Sequence, residues 1–223
     1  LPAFVDAARL LNIRGCSITI PHKIDIIPLL DKTSENVREM GACNTLYRDG
    51  EKICGENTDV IGFTAPLRKR SLSPETRVLV LGAFTGGIAG LRRLGLANIT
   101  LTNRRKERAE ALCNEFGLLC APWEERGDVP ADLIINTTPL GMTGAQEHET
   151  PYPRAFQDNG IAYDLIYTPF QTRFLRDAAA AGWETVSGLD MFIGQGDAQF
   201  HLWTGHHLPE EAITAVTSAL YGQ

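Results

Sequence analysis

Arg77-Val78-Leu79-Val80-Leu81 is an unbroken β-branched and aliphatic run that stops at Gly82. A strand apolar on both faces needs cover on both faces, the condition of a parallel strand in a sheet sandwiched between helices. The residues beyond keep this character. A helix to Leu94 leads to a strand at Ile99–Thr102, and a charged helix over about Lys106–Phe116 leads to a strand at Leu133–Asn136. Further strands at Ile161–Leu165 and Thr185–Val186 flank a helix near Thr172–Ala181. Such alternation predicts an α/β fold with a doubly wound sheet. Helices at Phe192–Thr204 and Glu210–Leu220, separated by Gly205 and Pro209, close the chain.

The first third reads differently. Phe4, Val5, Ala8 and Leu11 fall near one helical face over Pro2–Leu11. Gly15 ends that helix, and Cys16–Ile20 is a short strand stopped by Pro21. Helical segments are expected at Ile24–Leu30 and Ser34–Met40, the second with Ser34 as N-cap. Strands Asn44–Arg48 and Lys52–Gly55 meet across Asp49-Gly50, a hairpin signal. A helix then runs from Asn57-Thr58-Asp59 through Leu67. With 223 residues, two small α/β domains have room for separate cores. The expected division is a unit over 1–62, completed by the C-terminal helices 189–223, and a second unit over 63–188, with a cleft between them.

A net charge of −6 gives no support to nucleic-acid or acidic-membrane binding, although a local pocket can still be basic. No apolar run approaches the roughly 18 residues of a membrane span. Cys16, Cys43, Cys54, Cys113 and Cys120 form no C-x-x-C pair and read as reduced, mostly buried thiols of a cytoplasmic protein. No signal peptide is visible, and the chain opens at Leu1 without an initiator Met, so its start is expected upstream. His206 and His207 are adjacent near a turn, His201 sits on a helix and His148 in a polar loop; no metal site is expected.

Gly82 and Ala83, after the apolar strand and before a helix, lie where helix N–H groups would meet a pyrophosphate. The glycine pattern is damaged: Gly82 and Gly87 fit its first and third positions, but Phe84 takes the second, where a side chain would strike phosphates. A bland strand–glycine–helix turn remains open. The next strand ends in Thr102-Asn103-Arg104-Arg105, with Arg108 one turn on. An NAD-specific fold holds an acidic residue there for the ribose hydroxyls, whereas arginine pairs with a 2′-phosphate. A helix N-terminus is also a poor place for cations unless a ligand answers them. NADP is therefore expected over NAD, with a solvated basic helix start as the alternative. Thr137 and Thr138 follow Asn136 at the carboxyl end of the third strand, the ligand side of such a sheet.

Two segments carry the chemistry. Thr19-Ile20-Pro21-His22-Lys23 sets a lysine between a strand and a helix, and Asn57-Thr58-Asp59 sets a carboxylate in a first helical turn. Alone, each has a bland reading as a solvated lysine or a capping aspartate. Together with Gly41-Ala42-Cys43-Asn44-Thr45, Gly55 to Gly62, Thr102-Asn103-Arg104, Asn136 to Met142, Asp164-Leu165-Ile166-Tyr167 and Gly188 to Gln195 they resemble, in order, the blocks of the shikimate dehydrogenase family.

The resemblance implies a Rossmann-like NADP domain beside a substrate domain. It implies reversible NADPH-dependent reduction of 3-dehydroshikimate to shikimate in chorismate and aromatic amino-acid biosynthesis, by a cytoplasmic monomer or homodimer. It carries the catalytic pair onto Lys23 and Asp59, ring-hydroxyl binding onto Thr19, Asn44, Asp59 and Gln195, and a pocket wall onto Tyr167. Gly188 and Met191 fall at the nicotinamide end. As hydride leaves the carbinol carbon the hydroxyl proton needs an acceptor, and burial would have to lower the lysine's affinity for its own proton for Lys23 to serve.

Three departures stand out. The family's first strand and helix, whose serines bind the substrate carboxylate, are not in the chain, so no carboxylate-binding residue is assigned. Asp190 stands where the family commonly has glycine. Gly82 to Gly95 spans 13 positions, about three fewer than the family spacing. Residues restored between Ala83 and Phe84 would rebuild the family's loop, so these two are expected not to be covalent neighbours. Quinate as substrate, or an idle metabolite-sensing relative, remain alternatives at this stage.

Overall fold

The computed structural model describes residues 1–221; residues 222 and 223, part of the expected C-terminal stretch, lie outside the described residues. Its strands form two sheets. The smaller has the order β1-β3-β4-β2, with β1 Gly15–Ser17, β2 Lys32–Thr33, β3 Thr45–Asp49 and β4 Lys52–Glu56. The hairpin β3–β4 turns through Gly50 at φ +58, a left-handed conformation that favours glycine. Helix α1, Pro2–Leu10, and helix α2, Glu35–Met40, flank this sheet, and the Ser34 hydroxyl accepts the Val37 N–H at 3.2 Å as expected of an N-cap.

The larger sheet is parallel, in the order β10-β9-β8-β5-β6-β7. Its strands are β5 Val78–Leu81, β6 Ile99–Thr102, β7 Leu119–Cys120, β8 Leu133–Asn136, β9 Ile161–Asp164 and β10 Glu184–Val186. Helices α4 Thr85–Arg93, α5 Lys106–Phe116 and α6 Arg173–Ala180 cross between them. Counted within the sheet this is the doubly wound order 3-2-1-4-5-6, and the strand order reverses between β5 and β8. Helix α3, Thr58–Arg68, and helix α7, Gly188–Thr204, join the two sheets, and α8, Glu210–Tyr221, follows.

The two long helices cross closely because their contact residues are glycines. A Cβ on Gly62 would lie 2.5 Å from the Met191 carbonyl oxygen, and one on Gly194 would lie 3.1 Å from the Gly62 Cα. At its far end α7 is tied to the small sheet: Trp203 Nε1 donates to the Leu46 carbonyl at 2.9 Å, and Gln199 Nε2 donates to the Thr45 hydroxyl at 2.9 Å.

Several elements differ from expectation. The first strand ends at Ser17 rather than Ile20, because its partner β3 begins at Thr45; Ile18 N–H reaches the Asn44 carbonyl and the chain then turns, through a cis Ile20–Pro21 bond. Ile24–Leu30 is a set of turns with a 3-10 turn at Ile27–Leu29, since Pro28 cannot donate into a longer helix. Helix α7 begins at Gly188, four residues before the expected Phe192, where the Asp190 carboxylate accepts the Ser187 N–H at 3.3 Å. Asp190 thus starts the helix. Cys43, Cys54 and Cys113 are buried as expected, but Cys16 is half-buried and Cys120 exposed, and all five thiols are free.

The expected break between Ala83 and Phe84 is absent. The backbone runs on, with Phe84 as the N-cap of α4 at φ −109 and ψ 97. Nor does its ring reach toward phosphates. It folds inward onto Gly86 and Gly87, edge-on to Phe63 with ring centroids 5.7 Å apart. Side chains on those two glycines would collide with the ring.

Candidate active site and dinucleotide pocket

Lys23 leaves the turn after β1 and Asp59 sits in the first turn of α3, yet Lys23 Nζ lies 2.7 Å from Asp59 Oδ2. The helix start suits the carboxylate, since its N-terminal N–H groups favour negative charge. Asn57 caps that helix, its side-chain oxygen accepting the Asp59 N–H at 3.1 Å. Both carboxylate oxygens are engaged, because Asn44 Nδ2 donates to Asp59 Oδ1 at 2.8 Å. The Lys23 and Asp59 side chains keep 28% and 21% of their surface exposed, so a ring seated over them would remove the remaining water.

The pair opens on a cavity of about 440 Å³, and every residue expected at the substrate lines it: Thr19, Lys23, Asn44, Asp59, Tyr167 and Gln195. Gly188 and Met191, assigned by resemblance to the nicotinamide end, line the same cavity. Gly188 is there for space, since a Cβ would come within 2.5 Å of the Leu165 and Ile166 carbonyls. Tyr167 stacks on Phe192 with centroids 5.0 Å apart. Asn44 is less free than a hydroxyl-binding role suggests. It is buried, and its side-chain oxygen already accepts from the Thr58 N–H at 2.8 Å and the Thr45 hydroxyl at 2.7 Å. Its first duty is to hold Asp59 and the start of α3.

A second cavity, about 580 Å³, lies along the carboxyl ends of the large sheet. Gly82, Ala83, Asn103, Arg104, Arg105, Arg108, Thr137 and Thr138 line it, which is the remainder of the expected cofactor set. Gly82 takes φ +118, and a Cβ there would meet Thr137 Oγ1 at 2.2 Å, so only glycine permits this approach of β5 to β8. Helix α4 opens behind it with no side-chain cap on its N–H groups. Bare helix donors beside a glycine floor, with Arg104 and Arg105 after β6 and Arg108 in the first turn of α5, fit a phosphorylated dinucleotide. Asn103 shapes this end, its side-chain oxygen accepting the Arg105 N–H at 2.9 Å.

Some residues line the cavities without having been assigned a role. Ser17, Phe192 and Gln199 join the first cavity, and Trp123 and Pro139 the second. The Ser17 hydroxyl donates to Gln199 Oε1 at 2.8 Å, a contact between residues 182 positions apart that no local pattern announces. Asp164, quoted above only as part of a block, is a buried carboxylate at the end of β9. It accepts from the Thr172 hydroxyl at 2.6 Å, Asn136 Nδ2 at 2.9 Å and the Ile166 N–H at 3.0 Å, and burial pushes its pKa up to about 7. It thereby clamps both loops, 136–142 and 164–172, that border the cavities.

Among the described residues no cluster of three or more His, Cys, Asp or Glu is placed to hold a metal, and no helix is long and apolar enough to cross a membrane.

Comparison with known proteins places these features in context. Residues 1–46 match the profile of the shikimate dehydrogenase substrate binding domain, and residues 188–216 that of the shikimate 5′-dehydrogenase C-terminal domain. The chain is 54% identical over 226 aligned positions to a shikimate dehydrogenase (NADP(+)) of Pelobacter propionicus, covering 99% of this chain and 82% of that protein. It is 48% identical to the enzyme of the same name from Oleidesulfovibrio alaskensis, covering 99% and 81%. The crystal structure of shikimate 5-dehydrogenase from Thermus thermophilus in complex with NADP(H) and shikimate superposes with a TM-score of 0.84 at 34% identity, covering 99% of this chain and 84% of that one.

Proposed function

The chain belongs to the shikimate dehydrogenase family, and on that premise we propose that the cavity at Lys23 and Asp59 is its substrate site and the cavity at Gly82 and Arg104 its NADP site. The protein is an NADP-dependent oxidoreductase acting on a CH–OH group, converting 3-dehydroshikimate and NADPH reversibly to shikimate and NADP. The observation that carries the residue assignment is the 2.7 Å Lys23–Asp59 pair, set in a cavity that also holds Gly188 and Met191.

When bound, the nicotinamide supplies or accepts the hydride. The protein's own part is the proton. In the oxidative direction Lys23 Nζ takes the hydroxyl proton as the carbonyl forms; in reduction it returns a proton to the developing alkoxide. Asp59 hydrogen-bonds the same hydroxyl and aims the lysine, and Asn44 holds Asp59. Thr19 and Gln195 bind ring hydroxyls, and Tyr167 closes the wall. Arg104, Arg105 and Arg108 answer the 2′-phosphate, Gly82 and Ala83 admit the pyrophosphate to α4, Asn103 shapes the ribose end, and Thr137 and Thr138 border the path between the cavities.

We assign 1–62 with 189–223 to a substrate unit and 63–188 to an NADP unit, a reading supported by the presence of one sheet in each. The setting is cytoplasmic and the assembly a monomer or homodimer, which light scattering at enzyme-assay concentration distinguishes. The decisive assay is steady-state turnover of shikimate and quinate with NADP and NAD. Efficient turnover of shikimate with NADP is expected. Turnover of quinate with NAD instead would replace the substrate, and no turnover at all would leave an idle relative.

A further inference from the structure

The strand ends that floor the NADP cavity stand in a row, and the row continues past the last assigned residue. Thr137 follows β8, Gly82 follows β5 and Asn103 with Arg104 follows β6; beyond them, after β7, comes Trp123. A dinucleotide laid with its pyrophosphate at Gly82 and its 2′-phosphate at Arg104 has its base farther along that row. Trp123 lines the cavity together with the arginines. A neighbouring cavity of about 390 Å³ shares Asn103, Arg104 and Trp123 with it, so Trp123 borders both.

The indole is also fixed. The Arg126 guanidinium lies 4.0 Å from its ring centroid, within cation–π distance, and lines neither cavity. Arg126 is itself tied down, donating to the Pro151 carbonyl at 2.6 Å and the Trp123 carbonyl at 2.6 Å. Trp123 is half-buried against the core cluster that includes Leu79, Leu81 and Ile134. A large aromatic surface anchored on the core by one part and exposed at a pocket rim by another is an arrangement that packs a planar base.

We propose that Trp123 is the base-binding wall of the NADP site, and that Arg126 positions it. The inference rests on the reading of that cavity as the NADP site and adds the residue that grips the base rather than the phosphate. Stacking on the indole ignores the 2′-phosphate, whereas ion pairing with the arginines depends on it.

The test uses inhibition constants of 5′-AMP and 2′,5′-ADP, each competing with NADP. Trp123→Ala should weaken both by about ten-fold and by the same factor, and Trp123→Phe by far less. Arg126→Lys, which keeps a cation behind the ring, should stay near the parent, and Arg126→Leu should weaken both nucleotides part-way. Nicotinamide mononucleotide should bind alike to all variants. The two-arginine variant Arg104→Leu with Arg108→Leu should weaken 2′,5′-ADP far more than 5′-AMP. Unfolding midpoints check each variant, and Trp123→Leu takes the place of the alanine variant if that one loosens the turn. Unchanged 5′-AMP binding in the truncated variant overturns the proposal while an intact arginine effect preserves the NADP site. Loss confined to 2′,5′-ADP overturns it too, since the indole would then be acting on the arginines. If neither set of variants affects either nucleotide, the NADP assignment of this cavity fails with it.

Discussion

At the scale of single residues, the proposed chemistry depends on groups held from two directions. Lys23 faces Asp59, and Asn44 holds Asp59 from the other oxygen. Lys23→Ala should therefore lower kcat by roughly 10²-fold or more, the scale of a lost acid–base group, with KM much less affected. Near-normal kcat would remove the proton role. Arg104 and Arg108 carry charge without a carboxylate partner among the ion pairs of the described residues. Replacing both with leucine should raise KM for NADP far more than for NAD, since a charge-assisted hydrogen bond contributes about 1.5–3 kcal/mol; equal weakening would mark them as surface charges. Asp164 offers a different readout. Its pKa in the fold, about 7, lies above the ordinary 3.8, because burial opposes the charge more than its three donors favour it. The folded chain thus keeps a proton that the unfolded chain releases. The stability it contributes is whole below about 3.8 and is lost as pH rises through about 7. Urea midpoints at pH 5 and pH 8 should therefore differ less in Asp164→Asn than in the parent.

At the scale of elements, legibility followed the strength of the local pattern. Strands β5, β6, β8 and β9 are short runs rich in apolar and β-branched residues and are readable to within a residue, as is α5, which Gly117 ends in a left-handed conformation. Strands β2 and β7 are two residues long and exist only because neighbours pair with them, so no window of sequence reveals them. The first turn of α7 was missed because glycines weaken its helical signal, although Ser187 and Asp190 hold the capping pair. The site was legible where motifs carried it. Gln199 and Trp123 were not, since each acquires its neighbours only through packing of distant segments. The α3–α7 crossing belongs to the same category: Gly62 looks like an ordinary helical glycine until Met191 closes over it. Gly62→Ala sets a methyl 2.5 Å from a carbonyl oxygen and 2.6 Å from the Gln195 nitrogen, backbone atoms that cannot rotate away. Although alanine is the better helix former, the net effect should be destabilising, by about 1–3 kcal/mol as for other overpacked sites. A higher melting temperature in this variant would show that the helices have room to separate.

At the scale of the whole molecule, the two sheets meet around a shared chamber. Lys23, Asn44 and Asp59 come to the first cavity from the small sheet and α3, while Leu165 and Tyr167 come from the large sheet's loops. Gly188 and Met191, at the joint between them, are the same residues assigned to the nicotinamide. A nicotinamide resting there becomes a wall of the substrate cavity, and a substrate resting there covers the nicotinamide. Each ligand should bind more tightly in the presence of the other, and linkage requires the two enhancement factors to be equal. Direct contact across one wall predicts a factor near the low end of the usual range, about 5-fold, rather than the much larger values that a change between two global states can give. Calorimetric titration of shikimate with and without NADP, and of NADP with and without shikimate, measures both factors. Met191→Ala should reduce them together, because it removes the side chain that both ligands share, while leaving 2′,5′-ADP binding as it was. If the two ligands bind independently in the parent, the cavities do not share a wall, and Gly188 and Met191 belong to the substrate alone.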